Sequence, residues 1–239
     1  MGIPLRFILH SGIISDLEWL SSMGFDEAGP VCNIEDVPMT ATAIHRAGIR
    51  YAAVNPFADV SAAPGEAGAP LAPAFQALKS AHWDIVAGAG MSADIVRVAM
   101  NYMHFCSYGS GESSGETSVY SAPWNHPVVG PNTLHVDYID TFKSSRWYQS
   151  CIDMMAAAVA AGNCGEIGIM IPLWVGSILE SSLWINVINA ARAQGVPCSN
   201  VCFWADQVTD GTEILKTDAS ETLNGLIKYY GVRQGIQGE

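Results

Sequence analysis

The feature that most constrains this chain is a rhythm. Short strand-forming apolar runs alternate with amphipathic helical stretches, one pair every thirty residues or so. Strands are expected at Leu5–Leu9, Phe25–Val31, Ile49–Val54, Asp84–Ala87, His104–Tyr108, Thr133–Phe142, Ile167–Leu173 and Val201–Ala205. Between them lie helical patterns at Met39–Arg46, Pro73–His82, Ala93–Met103, Trp147–Ala161, Leu183–Ala193 and Glu221–Tyr230. An earlier helix starts at a Ser15 cap, with Glu18 completing a capping box, and stops at Gly24. Parallel strands need a crossover connection, usually a helix, so this alternation specifies a parallel sheet with helices against it. Ile167–Leu173 is almost continuously apolar, as a strand covered on both faces should be.

The expected fold class is therefore α/β, a (β/α)8 barrel of TIM type filling residues 1–239 as a single domain. The alternative is a doubly wound open parallel sheet. No G-x-G-x-x-G follows the first strand, which favours the barrel. Residues 109–132 are rich in Gly, Ser and Pro and lack periodicity, so they read as a long lid-like loop after strand five. Residues 232–239 read as a frayed polar tail.

Composition narrows the function classes. Eleven basic residues against 23 acidic ones give a net charge of −12. A nucleic-acid partner needs clustered Lys and Arg, so none is expected. No apolar run reaches transmembrane length and the first residues do not form a signal peptide, so no membrane partner is expected and the compartment is left open. The six cysteines are dispersed without a C-x-x-C pair, which points to buried thiols and to no structural metal. No cofactor motif is present. The Ala- and Met-rich helix 147–161 would suit subunit packing, so a homo-oligomer is compatible with the sequence.

In a barrel of this kind chemistry sits at the C-terminal strand ends. Those ends carry His10, Glu27, Asn55, Tyr108, Asp137, Trp174, Trp204 and Asp206. A carboxylate such as Asp137, inside an otherwise strand-forming run, is costly to bury and needs a partner or a task. Strand parity puts Cys202, Trp204 and Asp206 on one side, with Val201, Phe203 and Ala205 facing the helices. Asp206 would then share the mouth with Asp137. Two carboxylates there are what acid–base cleavage of a glycosidic bond requires, with Glu27 in reserve. His10, Asn55, Tyr108, Trp124, Trp174 and Trp204 are the expected substrate-binding set, the aromatic ones offering flat faces for sugar rings.

Acidic strand ends, an aromatic mouth and a long loop together resemble (β/α)8 glycoside hydrolases. The resemblance implies a carbohydrate-active hydrolase acting on a glycan or another small molecule. It is one of architecture: strands four and seven end in Gly88-Ala89-Gly90 and Trp174-Val175-Gly176 rather than in glutamates, and the D-x-x-D-x-D-x-E run of chitinase-like barrels is missing. Other readings compete. Gly111–Gly115 satisfies G-x-S-x-G, but the segment after it, Thr117–Pro123, is not helical in pattern, so the match is a loop coincidence. His10, Glu27, Asp137 and Asp206 on separate strands would suit a metal-dependent hydrolase or lyase. A catalytically inactive barrel serving as an assembly subunit is the remaining alternative.

Overall fold

A computed structural model describes residues 3–32, 38–55, 68–88, 98–110, 128–130, 145–160, 166–173 and 180–233. Its strands are β1 (Arg6–Ser11), β2 (Phe25–Pro30), β3 (Tyr51–Val54), β4 (Ile85–Gly88), β5 (His104–Ser110), β6 (Val128–Gly130), β7 (Ile167–Pro172) and β8 (Cys198–Trp204). All pairings are parallel and follow chain order, and β8 pairs back to β1, which curls the sheet into a closed barrel. The described helices are α1 (Leu17–Ser22), α2 (Ala41–Arg46), α3 (Gly68–Ser80), α4 (Ser145–Ala160), α5 (Ser181–Ala193), α6 (Gly211–Lys216) and α7 (Ser220–Tyr230). The fold is α/β and TIM-barrel-like. No helix among the described residues is long and apolar enough to cross a membrane.

The alternation of side chains along each strand divides the core in two. In β1, Phe7 and Leu9 point outward and join Phe25, Val201, Phe203 and the buried faces of the helices. Phe7, Phe25 and Phe203 lie with ring centroids 5.9–6.5 Å apart. Ile8 points inward, into a smaller cluster with Tyr51, Ala53, Ile85, Ala87, Cys106, Tyr108, Met170 and Cys202. Trp204 packs on this inner cluster while Val201, Phe203 and Ala205 belong to the outer one, as strand parity predicts.

Several local expectations are corrected. The sixth place in the sheet is taken by Val128–Gly130, inside the stretch expected to be lid loop, and Gly109 and Ser110 extend β5. Thr133–Phe142 lies outside the described residues. The α1 cap is Asp16, whose carboxylate accepts from the Trp19 N–H at 2.9 Å. Ser15 is diverted to Thr212, hydroxyl to hydroxyl at 2.7 Å, which ties the chain entering α1 to α6. Helix α3 begins at Gly68 and carries Pro73 within it. The tail is held further than expected: Val232 bridges to Leu5, the Arg233 N–H donates to the Leu5 carbonyl at 2.6 Å, and the Arg233 guanidinium pairs with Glu166. The five described cysteines are buried free thiols.

Candidate functional site in the barrel interior

The alternate positions of β1 that face inward are Arg6, Ile8 and His10. Two of them are polar, so the interior must supply partners. A bulge in β2 provides them. Phe7 faces Phe25 but Ile8 faces Glu27, leaving Asp26 as the extra residue and bringing two consecutive carboxylates to the same region. Arg6 Nη1 donates to Glu27 Oε2 at 2.7 Å and to Asp26 Oδ1 at 3.3 Å, and Arg6 Nε donates to Glu166 Oε2 at 2.8 Å. Burial works against the Arg6 charge, but Glu27, Asp26 and Glu166 outweigh it and hold the guanidinium protonated well beyond its ordinary range. Glu166 is shared with Arg233, and Asn200 Nδ2 reaches it at 3.5 Å. The room for Asn200 comes from Gly168, where a Cβ would lie 1.6 Å from Asn200 Oδ1.

Glu27 spans the interior. Its second oxygen, Oε1, lies 2.9 Å from His10 Nε2, and His10 Nδ1 meets the Tyr108 hydroxyl. His10 and Glu27 are 1% and 0% exposed. A carboxylate already paired with Arg6 can only accept, so His10 Nε2 carries the hydrogen toward it. In the neutral imidazole Nδ1 then accepts from the phenol O–H. The result is a continuous line from Arg6 through Glu27 and His10 to Tyr108. Burial pushes the Tyr108 phenol well above its ordinary value, with the Cys106 and Cys202 thiols and Glu27 adding to it. The Trp204 indole opposes that shift by hydrogen bonding. Burial likewise keeps Cys106 and Cys202 as thiols. The Tyr108 and Trp204 rings meet edge to face, with centroids 6.2 Å apart, toward the C-terminal end of the barrel.

The expected site residues are thus distributed unevenly. His10, Glu27, Tyr108 and Trp204 come together. Glu27 sits within β2 rather than at its end, and His10 within β1 rather than in the following turn. Asn55 is buried where β2 and β3 finish, its backbone bonded to Pro30 and Cys32. Asp206 stands at the rim beside Gly12, but it is exposed and its carboxylate is turned to its own loop. It accepts from the Thr209 hydroxyl at 2.6 Å and the Val208 N–H at 3.2 Å. Asp137, Trp124 and Trp174 lie outside the described residues. Arg6, Asp26, Cys106, Glu166 and Asn200 were not expected at the site. For Arg6 a signal exists: arginine and histidine occupy alternate positions of an otherwise apolar strand, which places both on one covered face.

Among the described residues one group could receive a cation: ligand atoms of His10, Glu27 and Cys106 all lie within 4.8 Å of one another. Imidazole, carboxylate and thiolate suit a zinc-like ion. Such an ion would have to displace one of the hydrogen bonds that now occupy both His10 nitrogens.

No family model and no curated protein matches this chain. Solved structures do. The spore cortex-lytic enzyme SleL of Bacillus megaterium QM B1551 aligns with a TM-score of 0.57 at 6% identity, covering 99% of this chain and 76% of its own. The native KDPGal structure gives 0.52 at 13% identity over 95% and 98%. Phosphoribosyl anthranilate isomerase from Thermus thermophilus gives 0.50 at 10% identity over 94% and 99%. The likeness is one of fold.

Proposed function

We propose that the chain is a carbohydrate-active hydrolase, built as a complete (β/α)8 barrel, whose reacting group is Tyr108. The observation that carries this reading is the line Glu27–His10–Tyr108: a hydroxyl, a base in hydrogen-bonding contact with it, and a carboxylate that orients the base. Tyrosine serves as the nucleophile in some glycosidases. His10 Nδ1 takes the phenol proton as the Tyr108 oxygen attacks the anomeric carbon, and an acid delivers a proton to the departing sugar oxygen. Asp137 is the candidate acid. Water then releases the bound sugar, and the proton transfers run in reverse.

Trp204, half-buried against Tyr108, is positioned to stack on a sugar face, with Trp124 and Trp174 as further candidates. Asp206 shapes the rim rather than joining the proton line. The acidic net charge is compatible with a neutral substrate such as a glycan. The fold likeness to a cortex-lytic enzyme supports a lytic reaction without specifying the bond.

The test is Tyr108→Phe assayed against a panel of glycans. Turnover lost with the fold retained supports the assignment; unchanged turnover removes Tyr108 from it. A wild-type chain that neither cleaves nor binds any glycan would favour the inactive scaffold. A metal-dependent hydrolase or lyase has its own observation, the His10, Glu27 and Cys106 group. Stoichiometric metal in the purified protein, lost in Cys106→Ser, would transfer the reaction to that reading.

A further inference from the structure

A second concave site lies at the opposite end of the barrel from the mouth, where α2 leads into β3, α3 into β4, and residues 100–103 into β5. It is an open groove of about 940 Å³. Its rim carries His45, Arg46, Lys79, His82 and His104. Three of the chain's six histidines and two of its eleven basic residues therefore meet at one groove, in a protein of net charge −12. Tyr51, Trp83 and Tyr102 also line the groove; Tyr51 and Trp83 are buried, with the Arg50 guanidinium 5.0 Å from the Tyr51 ring centroid, and Tyr102 is half-buried. The one acidic lining residue, Asp84, is already engaged: Oδ2 accepts from the Ala52 N–H at 2.8 Å and faces His45 Nε2 at 3.1 Å. Asp84 is half-buried, and that burial raises its pKa.

An independent observation concerns His82. Helix α3 closes with the Trp83 N–H donating to the Leu78 carbonyl at 3.1 Å and the His82 N–H to Lys79 at 3.0 Å. This closure puts His82 itself in the left-handed region, the usual place for glycine. At the other described helix ends with positive φ the chain does use glycine: Gly24, Gly48, Gly195 and Gly231. Only at the groove, among the described residues, does a side chain stand there, His82 at φ 67°. A residue held in a costly backbone conformation at the edge of a concavity points to a task for its side chain.

We propose that this groove binds a small phosphate-bearing ligand with a flat apolar body, nucleotide-like in chemistry. The Arg46 guanidinium, the Lys79 ammonium and the His82 imidazole suit the acceptor-rich phosphate, while His45 is held by Asp84 and the Ile49 carbonyl. The half-buried Tyr102 offers an aromatic face for a planar ring. The acidic remainder of the surface would repel a polyanion, so the ligand is small. The N-terminal face of such a barrel is not where its chemistry is done, so the site serves binding rather than turnover and is independent of the reaction at the mouth.

The experiment is calorimetric titration of the full chain with adenosine monophosphate, with adenosine and with inorganic phosphate. Adenosine monophosphate is expected to bind, and adenosine more weakly by about tenfold or more, since it forfeits the charge-assisted bonds. The exposed double variant Arg46→Glu, Lys79→Glu should abolish binding without changing Tm or glycan turnover. His82→Gly should weaken binding without lowering Tm, whereas a purely structural histidine would leave binding unchanged. No binding by the wild type, or binding that survives the double charge reversal, overturns the proposal. Inorganic phosphate binding as tightly as the nucleotide overturns the aromatic part of the assignment.

Discussion

The barrel interior has two halves that use polar residues in opposite ways. At the floor, Arg6 and Arg233 meet the carboxylates of Asp26, Glu27 and Glu166 in direct ion pairs. Toward the mouth, His10, Tyr108, Cys106, Cys202 and Trp204 are joined by hydrogen bonds and apolar and ring contacts, and one Glu27 oxygen reaches up to them. The floor is closed by arginine–carboxylate pairs; the mouth is held by side-chain hydrogen bonds beside apolar surface. A buried ion pair repays its desolvation only when every member stays paired, so the floor tolerates little change. A hydroxyl hydrogen bonded to an imidazole can give up its proton and recover it, which is a property of sites rather than of struts. Glu27 belongs to both halves, and it is the residue through which the floor holds the mouth in place.

The largest effect should come from taking the cation out of the floor. Arg6→Met removes the buried cation that Asp26 and Glu27 share, and a stability loss of about 3–5 kcal/mol is expected. Chemical denaturation would measure it. A loss within experimental error would mean that the carboxylates find water or protons instead, and that the floor is not closed by charge.

A steric change follows in size. Gly168→Ala would set a methyl group 1.6 Å from Asn200 Oδ1 and 2.6 Å from the Asn200 carbonyl oxygen, so the side chain or strand must shift. Overpacking of this kind costs about 1–3 kcal/mol. If the halves are as distinct as described, Tm falls while the Tyr108 region, read by turnover, is less affected than by any change in the mouth.

The mouth should answer in the reverse manner. Tyr108→Phe removes one hydroxyl that His10 can accept from, and its stability cost should stay near the typical buried hydrogen bond, about 1 kcal/mol. Turnover should fall by about a hundredfold or more. Equal losses of stability in Tyr108→Phe and Arg6→Met would erase the distinction between the halves.

How much of this was legible in the chain depended on the range over which each signal acts. Parity along a strand is local, so the division of β8 into Cys202 and Trp204 inward and Val201, Phe203 and Ala205 outward could be read directly. The rhythm of strands and helices placed most elements. Strand β6 could not be read: three residues, Val128–Gly130, are too few for a period, and their pairing with β5 and β7 supplies what their own pattern lacks. Glu27 was legible as an acidic residue in a strand, but its partners were not. Arg6 lies 21 positions away, and only a bulge that adds Asp26 to the register brings them together. Asp206 shows the opposite ambiguity. A carboxylate just past a strand end has the same sequence signature whether it faces a substrate or its own turn, and here hydrogen bonds to Val208 and Thr209 turn it to the loop.

The smallest expected effect separates the rim from both interior halves. Asp210 caps α6, accepting from the Thr212 and Glu213 N–H groups and from the Thr212 hydroxyl, which in turn bonds to Ser15. Burial alone would raise its pKa, but those hydrogen bonds outweigh it and hold the carboxylate below the ordinary value of 3.8. A depressed folded pKa contributes stability that is fully present above the unfolded pKa and is lost as pH falls through the folded one. The Asp210 share should therefore be constant from neutral pH down to about pH 5 and fade below about pH 4. Asp210 is half-exposed, so solvent screening keeps that share under the roughly 1 kcal/mol of a typical cap. Asp210→Asn keeps a capping oxygen and removes the titration; Asp210→Ala removes both. Thermal melts at pH 7 should rank Ala below Asn and leave Asn near the wild type, and the gap between wild type and Asn should close as the pH is lowered. A gap that widened on acidification would show that the cap is not acting through the ionised carboxylate.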